Sequence, residues 1–451
     1  MTIDAINSAP KLRRVLRLRD LVLYGIIVIQ PTAPMPVFGV LNERAHGHVV
    51  TTILLAFIAM LFTAISYGRM ARAYPSAGSA FTYVAQEIHP AAGYIAGWGM
   101  VLDYVINPMI MIIWCSKAAM TFLPTVPYLA WAIFFFLLFT GTNLVGIKNS
   151  SRVNGGLAVA MGVVIAIFLV VTIRFLLNLP HADAHFYLRP LYDPKTFDMR
   201  AILGGTSIAV LTYIGFDGIS TLSEEAENPR RNVLLATVLT CCAIAAISAV
   251  EVYAGQLVWP GTQSFHDVDT AYVEVAARVG GAWLSAVMAI TLLVASIGSG
   301  MGAQLGAARL LYGMGRSNAL PKTFFGAISP VHRIPRNNVV LVGFVALTGA
   351  LLVSYSLGAE MLNFGALVAF MGVNAAAFVR YYVRSSERKM TNFWPPLIGF
   401  AVCFLLCLSL GRKAQIAGLV WMTAGIILGA YRTRCFRRQL LDCSVPDSTL
   451  P

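Results

Sequence analysis

The chain has 451 residues, of which 58% are hydrophobic and 12% charged, with a formal net charge of +13. Soluble domains carry about 25% charged residues, so this composition excludes an ordinary water-soluble fold. The basic residues lie in short loops between apolar runs, which marks a topology signal and excludes a nucleic-acid-binding surface.

Residues 1–20 form a polar and then basic tail with no cleavable signal pattern, and the first apolar run, starting at Leu21, reads as a retained helix. A membrane-crossing helix needs roughly 20 apolar residues. Such runs recur at 21–42, 49–68, 91–123, 128–147, 155–173 and 201–223, then at 232–250, 279–308, 337–359, 361–379, 390–411 and 414–431. The expected fold class is an all-α membrane protein with twelve transmembrane helices. Alternate loops are rich in Lys and Arg, among them Arg69, Arg72, Lys148, Arg152, Arg230 and Arg231, and these fall on the side of the N-terminus. That asymmetry places both termini, including the tail 432–451, in the cytoplasm of a multi-pass protein of the inner or plasma membrane.

Two runs are abnormal. In the first, Pro31, Pro34 and Pro36 fall mid-span. Proline removes a backbone donor and clashes with the preceding turn, so the helix must break between Gln30 and Pro36. The sixth holds Tyr213-Ile-Gly-Phe-Asp-Gly218, two glycines around a carboxylate. Unpaired backbone at membrane depth is tolerated only inside protein or on a wet cavity. Interrupted helices in matching places of two halves point to a solute-binding site.

Candidate site residues follow from these breaks. Gln30, Thr32 and Ala33 come from the first, and Tyr213, Gly215, Phe216, Asp217 and Gly218 from the sixth. A charge in mid-membrane is a functional candidate by default, and Asp217 is the strongest, a dock for a cationic amine. The competing reading pairs Asp217 with a local backbone donor or with Lys117. If the helix continues regularly, Glu224 shares a face with Asp217, and Glu224 and Glu225 extend the acidic lining. Glu227 is spaced to pair with Arg230 and Arg231. Asp103 and Asn107, one turn apart, are expected to line the same cavity, with Tyr104 as packing. Tyr213 and Phe216 offer aromatic faces to an ammonium group. Ser296, Ser299 and Gly300 read as small residues that let helices approach.

The seven histidines are scattered and form no catalytic set, and the cysteines show no metal or redox spacing, so no enzyme activity, metal or cofactor is expected. A channel filter or ring of like polar residues is also missing.

The chain resembles the amino acid–polyamine–organocation permeases, and among them the bacterial putrescine importers. The resemblance rests on LFTAISYGRMARAYPSAGSAFTYV (61–84), GWGMVLDYVINPMI (97–110), GFDGISTLSEE (215–225), ARLLYGMGRSNALP (308–321) and NFGALVAFMGVNAAAF (363–378). It implies a LeuT-type fold of two inverted five-helix repeats, here 21–178 and 201–382, with helices 11 and 12 at 390–431. It further implies alternating access around broken helices 1 and 6, and gates at Tyr67 and Tyr83. The implied activity is secondary transport of an amine-bearing solute, an amino acid or a polyamine, by import or exchange, driven by protons or the membrane potential. One stretch departs from the pattern. Amino-acid members capture a carboxylate on a glycine-rich break in helix 1, whereas this chain has QPTAPMP, and diamine importers carry in this stretch, close to where Pro36 stands, an acidic residue that this chain lacks.

Overall fold

Proline and glycine decide where the helices of this chain stop. The computed structural model describes residues 16–74, 79–145, 151–179, 184–223, 225–260, 263–316, 320–329 and 334–433. Helix α1 (Leu18–Ile29) ends at Gln30, whose φ of 73° leaves the helical region, and α2 (Phe38–Arg44) resumes after the proline-rich turn. Then follow α3 (Val49–Ala73), the short α4 (Ser79–Glu87), α5 (Pro90–Phe122), α6 (Tyr128–Val145), α7 (Ser151–Leu177) and α8 (Ala184–Leu188). Helix α9 (Met199–Ala209) tightens into a 3-10 turn, Val210–Tyr213, and after Ile214 and Gly215 the chain continues as a 3-10 helix, Phe216–Leu222. The remainder comprises α10 (Pro229–Val258), α11 (Ala271–Arg316), α12 (Lys322–Phe325), α13 (Arg336–Leu352), α14 (Tyr355–Phe378), α15 (Met390–Ser409) and α16 (Arg412–Thr433).

Among the described residues, ten helices are long and apolar enough to cross a membrane, and α13 is a shorter apolar helix. The expected run 337–359 is cut at Leu352. Val353 is extended, and the Ser354 side chain caps α14 by accepting from Leu357 N at 3.3 Å. The run 279–308 belongs to a longer helix, bent at Gly281, where φ is 73°.

Small residues bring the helices together. Gly68 of α3 sits against the backbone of Leu234 on α10, and Gly365 of α14 packs on the Gly99 carbonyl and Asp103 N of α5. On α11, Gly300 receives the ring of Phe139 and Gly306 that of Tyr104. A closed polar network ties α6, α11 and α13. Gln304 Nε2 donates to Thr140 Oγ1 at 2.9 Å and Val339 O at 3.0 Å, while Asn143 Nδ2 donates to Gln304 Oε1 at 3.2 Å. Such a network, with its amides partnered, fixes register in an otherwise apolar core.

Candidate functional site

The two helix breaks touch. Gly215 has φ of 123°, a conformation that favours glycine, and a side chain there would meet Val28 and Ile29 at the end of α1. Beyond it, Asp217 is 5% exposed, and its carboxylate takes backbone N–H groups of Gly215, Asp217 and Gly218. A carboxylate has about four lone-pair sites, so capacity remains for a further donor. Of the two competing partners expected for Asp217, the backbone is the one found. Lys117 instead pairs with Asp267 at 3.2 Å and Asp269 at 2.7 Å.

Asp103 of α5 is 6% exposed and lies within electrostatic reach of Asp217. Tyr24, Tyr67 and Tyr104 also lie within reach of Asp217. The site is therefore two buried acids in a shell of phenols. Tyr67 meets Tyr83, Phe216 and Phe370 edge to face, at centroid distances of 6.2, 5.6 and 5.7 Å. Tyr83 is tied to the second break through its own helix, since Ser79 Oγ lies 3.0 Å from Ser220 Oγ, which donates to Asp217 O at 2.6 Å.

The first break is self-contained. Pro31, Pro34 and Pro36 have no N–H, Ala33 N donates to Gln30 O at 3.1 Å, and Met35 N donates to Thr32 O at 3.1 Å. Gln30 Nε2 donates to Ala295 O on α11 at 2.8 Å, which moors the break. Thr32 is buried and Ala33 half-buried. The break offers no run of free N–H groups of the kind that grips a carboxylate.

Tyr213 turns its hydroxyl to Ile53 O of α3, at 2.9 Å. Asn107 is half-buried, and its Oδ1 has no partner among the described residues. Glu225 lies at a seam where Leu16 N donates to its carbonyl at 3.0 Å. Glu224 lies outside the described residues. The shared face expected for Asp217 and Glu224 loses its premise, because residues 216–222 form a 3-10 helix with about three residues per turn. Glu227 pairs with Arg17 at 3.8 Å and not with Arg230 or Arg231. Asn228 adopts a left-handed conformation (φ 48°), so Glu227 precedes the helix and has no helical spacing to those arginines.

Tyr24 and Phe370 are the residues that sequence reasoning missed, while Tyr104, expected as packing, sets its ring on Gly306 and also lies within reach of Asp217. Tyr104 was legible as the neighbour of Asp103, but Phe370 comes from a distant helix with no local cue. Among the described residues, no cluster of His, Cys, Asp or Glu is fit to hold a metal ion.

The two ends of the site differ. On the α2 side, Phe38 packs edge to face on Tyr272 (5.2 Å) and Phe265 (6.1 Å), and Gly39 abuts the Val268 carbonyl. On the α1 side, Leu16 pairs with Ala226 in a short parallel bridge, and buried Glu87 binds Arg380 and Arg384, the latter at 2.9 Å.

Membrane-length helices, together with two helix breaks that touch beside a buried acid, make a protein that moves a solute through its own interior: a membrane transporter. Residues 38–411 match the amino acid permease family, and the chain belongs to it. It is similar to the low-affinity putrescine importer PlaP of Escherichia coli (strain K12), at 33% identity over 436 residues, 96% of each chain. It is also similar to two proteins of Bacillus subtilis (strain 168), each 25% identical over 458 residues. These are a methylthioribose transporter, with 95% of each chain covered, and the branched-chain amino acid permease BcaP, with 94% of each. The family and these relatives are transporters, not enzymes.

Proposed function

We propose that this chain imports a small amine-bearing cation, with a diamine such as putrescine as the leading substrate, by alternating access around Asp217 and Asp103. The observation that carries this reading is a pair of buried acids, Asp217 in the second break and Asp103 of α5 within its electrostatic reach, with Lys117 engaged elsewhere. A buried charge must be paired, and two acids suit a solute with two ammonium groups. The phenol and phenyl faces of Tyr67, Tyr104 and Phe216 add cation–π attraction.

The turn at 30–37, with three prolines that lack an N–H and with Ala33 N and Met35 N already engaged, supports a solute without a carboxylate over a zwitterionic amino acid. So does the similarity to an E. coli protein named as a putrescine importer. In this reading, α1 with α2 forms one span and α13 another, which with the ten long helices makes twelve. The spans divide into inverted repeats at 21–178 and 201–382, followed by α15 and α16. The protein sits in the cell membrane with both termini cytoplasmic. Tyr67 and Tyr83 act as gate elements beneath the site. A proton gradient or the membrane potential drives uptake, since a cation is drawn toward a negative interior at about 2.3 kcal/mol per charge per 100 mV.

The test is uptake into proteoliposomes holding the purified chain, with an imposed inside-negative potential and pH gradient. Labelled putrescine is offered beside a panel of amino acids. Saturable putrescine uptake that Asp217→Asn abolishes is the expected result. Transport of an amino acid with no putrescine uptake overturns the diamine assignment.

A further inference from the structure

Three arginines converge where α3 ends and α10 begins. Arg72, Arg230 and Arg231, with Leu234 and Leu235, line an open groove of about 470 Å³. All three are exposed, and among the described residues none has a carboxylate partner, because Glu227 turns to Arg17. The groove lies at the end of two membrane-length helices, α3 and α10.

We propose that this groove binds the phosphate headgroup of an anionic membrane phospholipid. Three guanidinium groups around one opening are complementary to a phosphodiester, and Arg holds phosphate in bidentate fashion. The apolar half of the groove favours a lipid over a free anion. Leu235 and the 46%-exposed Leu239 are four residues apart, so they share one face of α10 and form a track for an acyl chain. Basic pockets between helices at the cytoplasmic level are suited to such headgroups.

The site has a mechanical consequence. Its floor is the close contact of Gly68 on α3 with Leu234 on α10. Helix α10 also carries α1, since Gly25 packs on Thr240. A lipid bridging Arg72 to Arg230 and Arg231 clamps α3 to the helix that holds one half of the first break.

The experiment uses the full chain purified in mild detergent and exposed to phosphatidylglycerol or zwitterionic phosphatidylcholine. Lipid bound per protein is read by native mass spectrometry, and thermal unfolding is followed in parallel. Wild type is expected to retain phosphatidylglycerol at least fivefold over phosphatidylcholine, with a raised melting temperature. The triple variant R72Q/R230Q/R231Q is expected to lose both effects while melting like wild type without lipid. The triple lysine variant keeps the charge without the fork and is expected to retain part of the preference, so it also controls for folding. Equal phosphatidylglycerol retention in the glutamine variant overturns the proposal. So does displacement of the lipid by millimolar inorganic phosphate, which would make this a free-anion site. Neither readout depends on which solute is carried.

Discussion

Gly215 and Ile29 stand so close that a Cβ on the glycine would lie 3.1 Å from Ile29 Cγ1, and the glycine's φ is 123°. One contact thus joins the two helix breaks and explains why the second keeps a glycine at this position. Two separate penalties meet at this position: a backbone region that L-residues avoid, and a steric wall at the end of α1.

Gly215→Ala is therefore expected to cost about 1–3 kcal/mol of stability. It should also disturb transport, because the Val28 and Ile29 side chains at the end of α1 must give way to the added methyl. Thermal unfolding in detergent, with uptake measured on the folded fraction, checks this. A variant as stable and as active as wild type would show that the breaks do not depend on each other.

Gln30→Leu keeps the bulk at the first break but removes its side-chain hydrogen bond to α11, the 2.8 Å bond to Ala295 O. The loss is about 1 kcal/mol, typical of one intramolecular hydrogen bond. Because Gln30 holds the turn and the acids lie elsewhere, turnover should fall more than affinity. Separate measurement of substrate binding and of uptake rate decides this, and an effect on binding alone would place Gln30 at the substrate.

Glu87 is 1% exposed and binds Arg380, Arg384 and Tyr74, the last at 2.6 Å. This joins α4, which carries Tyr83, to the π turn Val379–Val383 at the end of α14. Tyr74 lies just past the end of α3, and partial burial together with its bond to Glu87 pushes its hydroxyl up to about 12, so it remains a donor throughout the neutral range. Removing one partner of a buried pair costs about 3–5 kcal/mol, but the half-exposed arginines regain water, so Glu87→Gln should lose about 1–2 kcal/mol. A melting temperature equal to that of wild type at low salt would refute the structural role of this cluster.

How much of this was legible in the sequence follows from how local each cue is. The spans announce themselves as apolar runs, and the first break is forced by three prolines. The second break was readable from Gly215 and Gly218 around Asp217. What failed was helical extrapolation: the segment after Gly215 winds as a 3-10 helix, and Asn228 turns left-handed, so spacing rules misassigned Glu227. The partners of Lys117 were hidden because Asp267 and Asp269 are 150 residues or more away along the chain. Phe370 joined the aromatic shell by tertiary packing alone.

The two acids themselves make different demands on a solute. Asp217 already accepts backbone N–H groups, whereas Asp103 has no hydrogen-bond partner among the described residues. A diamine placing one ammonium at each acid would use both, while a monoamine needs one. A hydrogen bond to a charged group is worth about 1.5–3 kcal/mol, so Asp103→Asn should weaken diamine binding by roughly 10- to 100-fold. A monoamine of similar length should lose far less, narrowing the preference between the two. Competition of putrescine and its monoamine analogue against a labelled substrate, in wild type and Asp103→Asn, measures that ratio. If both solutes weaken equally, Asp103 supports the fold of the site and does not hold the second ammonium.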